Sequence, residues 1–174
     1  MRVFFLIAGA SLLLAASLTG CGPSASTSEQ LAAMQASADA AAAQNLKDGE
    51  AYLADIAKQP GIIKLPSGVM YKVVSHGATP GAQPTVSDTV TTHYEGKLVD
   101  GKVFDSSFAR NEPASFPVGG VIEAWQEVIP LMHVGDEVML YTPASAAYGS
   151  VDKGEIPPNS ALTFRIQLLG VQGK

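Results

Sequence analysis

Between residues 160 and 169 the chain alternates without a break. Leu162, Phe164, Ile166 and Leu168 fall on one side, and Ala161, Thr163, Arg165 and Gln167 on the other. A period of two marks a strand with one face against a core. Such a strand needs neighbours for its backbone groups and a layer over its apolar face. The preceding hundred residues offer both. Strands are expected over residues 69–75, after the Pro66-Ser67-Gly68 turn, over the β-branched stretch 89–99, and over 114–118 and 137–142. Asp100-Gly101 is a hairpin signal, so 102–105 should pair back on 89–99. One helix is expected over 122–132, where Ile122, Trp125, Ile129 and Met132 recur at helical spacing. The expected class is α+β, a curved antiparallel β-sheet wrapped around one short helix. The Gly- and Pro-punctuated segment 144–159 is too long for a plain connector and suggests function.

The region before this is different in kind. Ser26-Thr27-Ser28-Glu29 fits a capping box, with Ser26 as N-cap. An Ala-rich helix should follow over 31–43, with a weak stripe of Leu31, Met34, Ala38 and Ala42. A second helical stretch over 44–58 places Leu46, Leu53, Ile56 and Ala57 on one face, and Pro60-Gly61 stops it. The first twenty residues carry Arg2 and an apolar run over 3–18, the layout of a secretory signal. The run falls a little short of the roughly 20 apolar residues of a membrane span, and Pro23 follows closely. The expected organisation is a signal at 1–20, a flexible tether at 21–28, a helical extension at 29–60 and one folded domain at 61–174. The formal net charge is −5, with no Lys/Arg cluster, which argues against a nucleic-acid binder.

Cys21 is the only cysteine, so no intrachain disulfide or Cys-cluster zinc site can form. Leu18-Thr19-Gly20-Cys21 resembles the lipobox of bacterial lipoproteins. That resemblance implies cleavage before Cys21 and a diacylglycerol on its thiol. Gly22, where inner-membrane retention usually uses Asp, implies a cell-envelope location, lipid-anchored at the outer membrane and facing the periplasm.

From Val90 onward the chain resembles the FK506-binding-protein (FKBP) type of peptidyl-prolyl cis-trans isomerase. The matching stretches are Thr92-His93-Tyr94-Glu95-Gly96, Asp100 to Ser107, Gly120-Val121-Ile122 with Trp125, Ala147-Tyr148-Gly149, Ile156-Pro157-Pro158 and Leu162-Thr163-Phe164. They stand in the family's order and spacing. Asn45, Gly49, Tyr52-Leu53, Leu65 to Gly68, Tyr71-Lys72-Val73 and Glu112 to Val118 resemble the macrophage-infectivity-potentiator subfamily, whose N-terminal helices often dimerise. The family would make this an FKBP-like fold that isomerises X-Pro bonds in envelope proteins and helps them fold. Its partners would be proline-containing polypeptides and FK506-like macrolides, with the chain a monomer or a dimer through its helices. The resemblance assigns an apolar pocket to Tyr94, Phe104, Phe116, Val121, Ile122, Trp125 and Phe164, with Trp125 as floor. It assigns a polar rim to Asp105 and Tyr148. Ile156 would add a backbone N–H and some wall. Tyr148 would donate to a substrate carbonyl, and Asp105 would hold Tyr94 or orient a carbonyl.

Taken singly, each of these residues has a plainer meaning. The aromatics could be core, and Asp105-Ser106-Ser107 could be turn chemistry. His76, His93 and His133 have no metal-ligand spacing, there is no H-E-x-x-H, and Gly119-Gly120 lacks the phosphate-loop Lys, so no metal or cofactor is expected. Ala124 replaces a usual Gly before Trp125, which could narrow the pocket floor; Ala114 replaces a rim aromatic, and Ala146 an aromatic or Leu. These changes leave open a non-catalytic chaperone or adaptor that grips Pro-containing segments. A structural lipoprotein that acts through its helices is a third reading.

Overall fold

The structure is a computed structural model that describes residues 26–77 and 81–173. The signal, the lipobox and Cys21 lie outside the described residues. Three α-helices are present among the described residues: α1 (Thr27–Ile56), α2 (Ser107–Arg110) and α3 (Glu123–Val128). Seven strands are present among the described residues: β1 (Ile63–Lys64), β2 (Met70–Ser75), β3 (Thr89–Leu98), β4 (Val103–Ser106), β5 (Ala114–Pro117), β6 (Glu137–Thr142) and β7 (Leu162–Val171). They form one antiparallel sheet in the order β1-β2-β6-β7-β3-β4, with β5 also paired to β3. The class is α+β, as the patterning implies.

The alternating strand lies inside this sheet. β7 pairs with β6 on one side and with β3 on the other. Its Leu162, Phe164, Ile166 and Leu168 join Val90 and Tyr94 of β3, Val138 and Leu140 of β6, and Trp125, Val128 and Ile129 in the main core. The opposite face of the sheet carries a second cluster, where Met70 and Tyr141 meet Ile56, with Tyr52 and Leu53 packed beside them. β6 divides its residues accordingly: Val138 and Leu140 face α3, while Met139 and Tyr141 face α1. Thr163 sits on the polar side of β7 yet is buried, because α1 covers it and the Tyr52 hydroxyl lies 3.0 Å from its Oγ1.

Two helix expectations need correction. The stretches over 31–43 and 44–58 are one continuous helix of 30 residues, about 45 Å long at the usual rise. No breaker separates them, since Ala43 and Gln44 both favour helix. The capping box is present, with the Ser26 hydroxyl accepting from Glu29 N–H and the Glu29 carboxylate accepting from Ser26 N–H. Helix therefore begins at Thr27, inside the expected tether. Gly49 is tolerated because the helix presses there on the domain: a Cβ at 49 would stand 2.8 Å from the Ala161 Cβ. The expected helix over 122–132 is α-helical only to Val128 and then tightens into a 3-10 turn over Ile129–Leu131. Pro130 has no N–H to continue the ladder, and its ring conflicts with the preceding turn. The strand expectations hold to within two residues at every end. The short β1 and α2 carry no periodicity and were not anticipated.

The N-terminal half of α1 is exposed, whereas Ile166 has no solvent exposure. Ile166→Ala should therefore cost about 2–5 kcal/mol. Leu31→Ala, at a side chain 62% exposed, should stay within about 0.5 kcal/mol. Urea denaturation of both variants checks this, and comparable losses would contradict the burial described.

Candidate functional site

At the open edge of the core, between the sheet and α3, lies a cleft of about 350 Å³. Small-molecule sites usually fall within roughly 300–1,000 Å³. Trp125 occupies the centre of its aromatic group. Its ring meets Tyr94 at 5.4 Å, Phe164 at 5.5 Å and Phe116 at 5.8 Å, all near perpendicular. Phe104 meets Phe164 edge-on at 5.7 Å. Edge-to-face pairs contribute about 0.5–1.5 kcal/mol each beyond area burial, so the rings hold one another upright. β3 leaves room for them at Gly96, where a Cβ would lie 2.4 Å from Phe104 Cζ and 2.9 Å from Phe164 Cε1. Val121 and Ile122 complete the wall. Their loop is tied down by Gln126, whose Nε2 donates to the Val121 carbonyl at 2.7 Å. The Trp125 Nε1–H is buried and has no hydrogen-bond partner among the described residues.

The polar side of the cleft is built by the chain reversal after β4. The Ser106 hydroxyl accepts from Ala109 N–H at 3.1 Å and starts α2. The Ser107 hydroxyl accepts from Tyr94 N–H at 2.7 Å, one residue beyond the last β3–β4 pair. It lies 3.2 Å from the Tyr94 carbonyl and 3.0 Å from His93 Nδ1, either of which can take its proton. Turn chemistry and site chemistry are therefore the same residues: Ser107 fixes the backbone that carries Tyr94. The Tyr94 hydroxyl donates to Asp105, and the single turn of α2 brings Arg110 back onto the same carboxylate. Arg110 Nη2 also lies 3.3 Å from the Tyr94 hydroxyl.

Partial burial pulls the Asp105 carboxyl upward, but the Tyr94 hydroxyl and the Arg110 guanidinium outweigh it and hold the group below the usual carboxylate range. Burial raises Tyr94 above an ordinary tyrosine, and its bond to Asp105 adds to this. Burial likewise raises Tyr148, helped by the Asp105 charge. At neutral pH the cleft thus holds one carboxylate and two intact phenols. The phenols differ in availability. Tyr94 is committed to Asp105, whereas the Tyr148 hydroxyl has no hydrogen-bond partner among the described residues.

Tyr94, Phe104, Asp105, Phe116, Val121, Ile122, Trp125, Tyr148 and Phe164 are brought together around this cleft. Ile156 does not line it. A turn closed by Lys153 N–H on the Ile156 carbonyl at 3.1 Å tucks that side chain into the main core. The Ala124 methyl belongs to the core beneath the site and does not itself line the cleft. Ala114 lies outside the lining as well, and Ala146 is buried. Gly120 and Arg110 were missed by sequence reasoning. For Arg110 a signal existed: it follows Asp105 by five residues across a Ser-capped turn that ends in the left-handed Asn111. The histidines lie apart from the cleft. His93 stacks on Phe108 at 4.8 Å, while His76 and His133 flank the buried Asp136.

Comparison with known proteins bears on the same residues. A family model described as FKBP-type peptidyl-prolyl cis-trans isomerase matches residues 81–169, and the domain amino-terminal to it matches residues 22–73. The FKBP-type isomerase FkpA of Aeromonas hydrophila is 44% identical over 138 residues, 79% of this chain and 51% of that protein. The Outer membrane protein MIP of Legionella longbeachae is 43% identical over 132 residues, 75% of this chain and 56% of the relative. The chain thus spans little more than half the length of these curated relatives. The crystal structure of FkpA from Escherichia coli superimposes with a TM-score of 0.75 at 38% identity, covering 84% of this chain and 73% of that one.

The depressed Asp105 carboxyl has a consequence for stability. A group whose folded value is lowered stabilises the fold above its unfolded value, and that contribution is lost as pH falls through the folded value. The stability advantage of the parent over Asp105→Asn should be full above the ordinary carboxylate range, at about pH 6, and shrink as pH falls through and below that range. Denaturation midpoints of the two proteins across that range check it. An advantage independent of pH would contradict the ion pair.

Proposed function

Because the chain belongs to the FKBP-type peptidyl-prolyl cis-trans isomerase family, we propose that it accelerates rotation about X-Pro bonds in polypeptides of the cell envelope. The observation that carries this reading is the apolar, Trp125-floored cleft with one phenol at its edge, Tyr148, that is unengaged among the described residues. An X-Pro amide resists rotation by conjugation, with a barrier of about 18–20 kcal/mol. Uncatalysed exchange takes about 10–100 s. At the twisted transition state the prolyl nitrogen has lost conjugation and the amide is less dipolar. Water favours the planar, more dipolar form, and a dry aromatic cleft removes that preference. The proline ring packs against Trp125, between Phe104, Phe164 and Phe116. Tyr148 donates to a carbonyl of the twisted segment, which is useful only if that bond is better made in the twisted form than in the planar one. Asp105, held by Arg110 and Tyr94, keeps a fixed negative charge beside the rotating carbonyl and orients it. Rotation forms and breaks no covalent bond, so the cleft requires neither nucleophile nor proton transfer. The same surface suits an FK506-like macrolide.

The proposed location follows from Cys21 and from the Legionella relative, which is named an outer membrane protein. In this reading a diacylglycerol on Cys21 tethers the domain at the envelope. The parent recovered from bacterial membranes should then carry lipid on Cys21 by mass spectrometry. Cys21→Ser should release it to the soluble fraction, and equal membrane retention of both would defeat the anchor.

The decisive assay follows prolyl isomerisation in a peptide with the full chain, with Tyr148→Phe and with Phe104→Ala. Losing one oriented neutral donor should lower kcat/KM about 5- to 30-fold. Phe104→Ala should lower activity more than its loss of folded protein accounts for. A folded parent that binds Pro-containing peptides without accelerating them would make the chain a chaperone or adaptor on this fold.

A further inference from the structure

We infer that Asn45 and Asn159 form a clasp through which α1 sets the position of Tyr148, making both asparagines positioning residues for the cleft. The inference rests on the isomerase reading above. Tyr148 is carried by the segment between β6 and β7, residues 144–159, whose neck is closed by backbone bonds. Gly149 N–H donates to the Ala144 carbonyl at 2.8 Å, and Asn159 N–H donates to the Gly149 carbonyl at 2.7 Å. The residue following Tyr148 is therefore bonded directly to Asn159. Asn159 adopts a left-handed backbone, φ 59°, which asparagine tolerates better than most side chains.

The same neck is gripped from the helix side. Asn45 Nδ2–H donates to the Pro158 carbonyl at 3.0 Å, and Asn159 Nδ2–H donates to the Ala42 carbonyl at 3.3 Å. Two short amides thus donate in opposite directions across a half-buried seam. The seam is tight because Gly49 lets the helix approach Ala161, just past the neck. The tip of the segment is seated by the apolar packing of Ile156 in the main core, and its polar ties are exposed: Lys102 to Glu155 at 2.6 Å, and Lys153 over the Tyr148 ring at 5.9 Å. Exposed ion pairs hold geometry weakly. Among the described residues, the clasp supplies the directional side-chain hydrogen bonds that join the neck of this segment to α1, where the apolar packing of Ile156 fixes no direction. A donor that acts on a transition state is sensitive to small displacements, so slack at the neck reaches the chemistry without touching the cleft. This also gives a physical task to Asn45 and Gly49, whose pattern in the sequence otherwise has no connection to the site.

The test compares full-chain Asn45→Ala with Tyr52→Phe, which removes the neighbouring helix-to-strand bond to Thr163 but leaves the neck alone. Each is measured for kcat and KM in the parent and in a Tyr148→Phe background. Amide hydrogen exchange of residues 148–156 is followed in parallel. Asn45→Ala should lower kcat about fivefold with KM little changed. That loss should vanish in the Tyr148→Phe background, and exchange in the segment should quicken; Tyr52→Phe should do none of these. Equal losses in both backgrounds, or an Asn45→Ala effect no larger than that of Tyr52→Phe, would overturn the clasp. A parent that fails to accelerate rotation defeats the proposed function instead. The exchange arm then decides the clasp alone: quickened exchange confined to Asn45→Ala upholds it, and unchanged exchange overturns it.

Discussion

The pairing of β3 with β7 is the constraint on which the remainder of the molecule depends. It runs from Val90 opposite Val171 to Leu98 opposite Leu162, with one register shift near Thr91. This register sets Tyr94 opposite Ile166 and Gly96 opposite Phe164. A slip of β3 by one residue would turn that strand inside out against β7: Tyr94 would leave the cleft, and the empty place at Gly96 would no longer receive the rings of Phe104 and Phe164. β4, β5 and β6 all pair with one or other of these two strands, so their positions are inherited from the same ladder.

The cleft follows from that ladder through two kinds of interaction. Apolar rings settle its shape, because four aromatic pairs at near-perpendicular angles leave little freedom to any one ring. Hydrogen bonds settle its electrostatics. Arg110 keeps Asp105 ionised, and Asp105 occupies the Tyr94 hydroxyl, which leaves the Tyr148 hydroxyl as the cleft's unengaged phenol among the described residues. A site that lowers a rotational barrier benefits from this division, since a competing donor beside the substrate would stabilise the planar amide as readily as the twisted one.

The two faces of the sheet have different work. The face toward α3 holds the core and the cleft, and the opposite face receives the C-terminal half of α1. The N-terminal half of that helix is exposed among the described residues. Intrinsic propensity and the Ser26 capping box can carry it, whereas the C-terminal half is held by Ile56, Tyr52 and the amides of the seam.

What the sequence by itself determined is local or periodic. The alternation of β7 placed it against a core, Asp100-Gly101 closed the β3–β4 hairpin, and Ser26 with Glu29 started α1. Nine of the ten pocket residues that the family resemblance assigned do surround one cleft, because their order and spacing are written into the chain. Local sequence also set two helix bounds that the periodicity overran: Pro130 turned the end of one expected helix into a 3-10 turn, and the absence of a breaker after Ala43 merged two into one. Tertiary structure alone decided the rest. Ile156 went into the core and Arg110 came to the cleft, since the direction of each depends on a turn closed by its own hydrogen bonds. The seam between Asn45 and Pro158 joins residues 113 positions apart. No local pattern encodes such a pairing, because it exists only once the sheet has carried both partners to the same place.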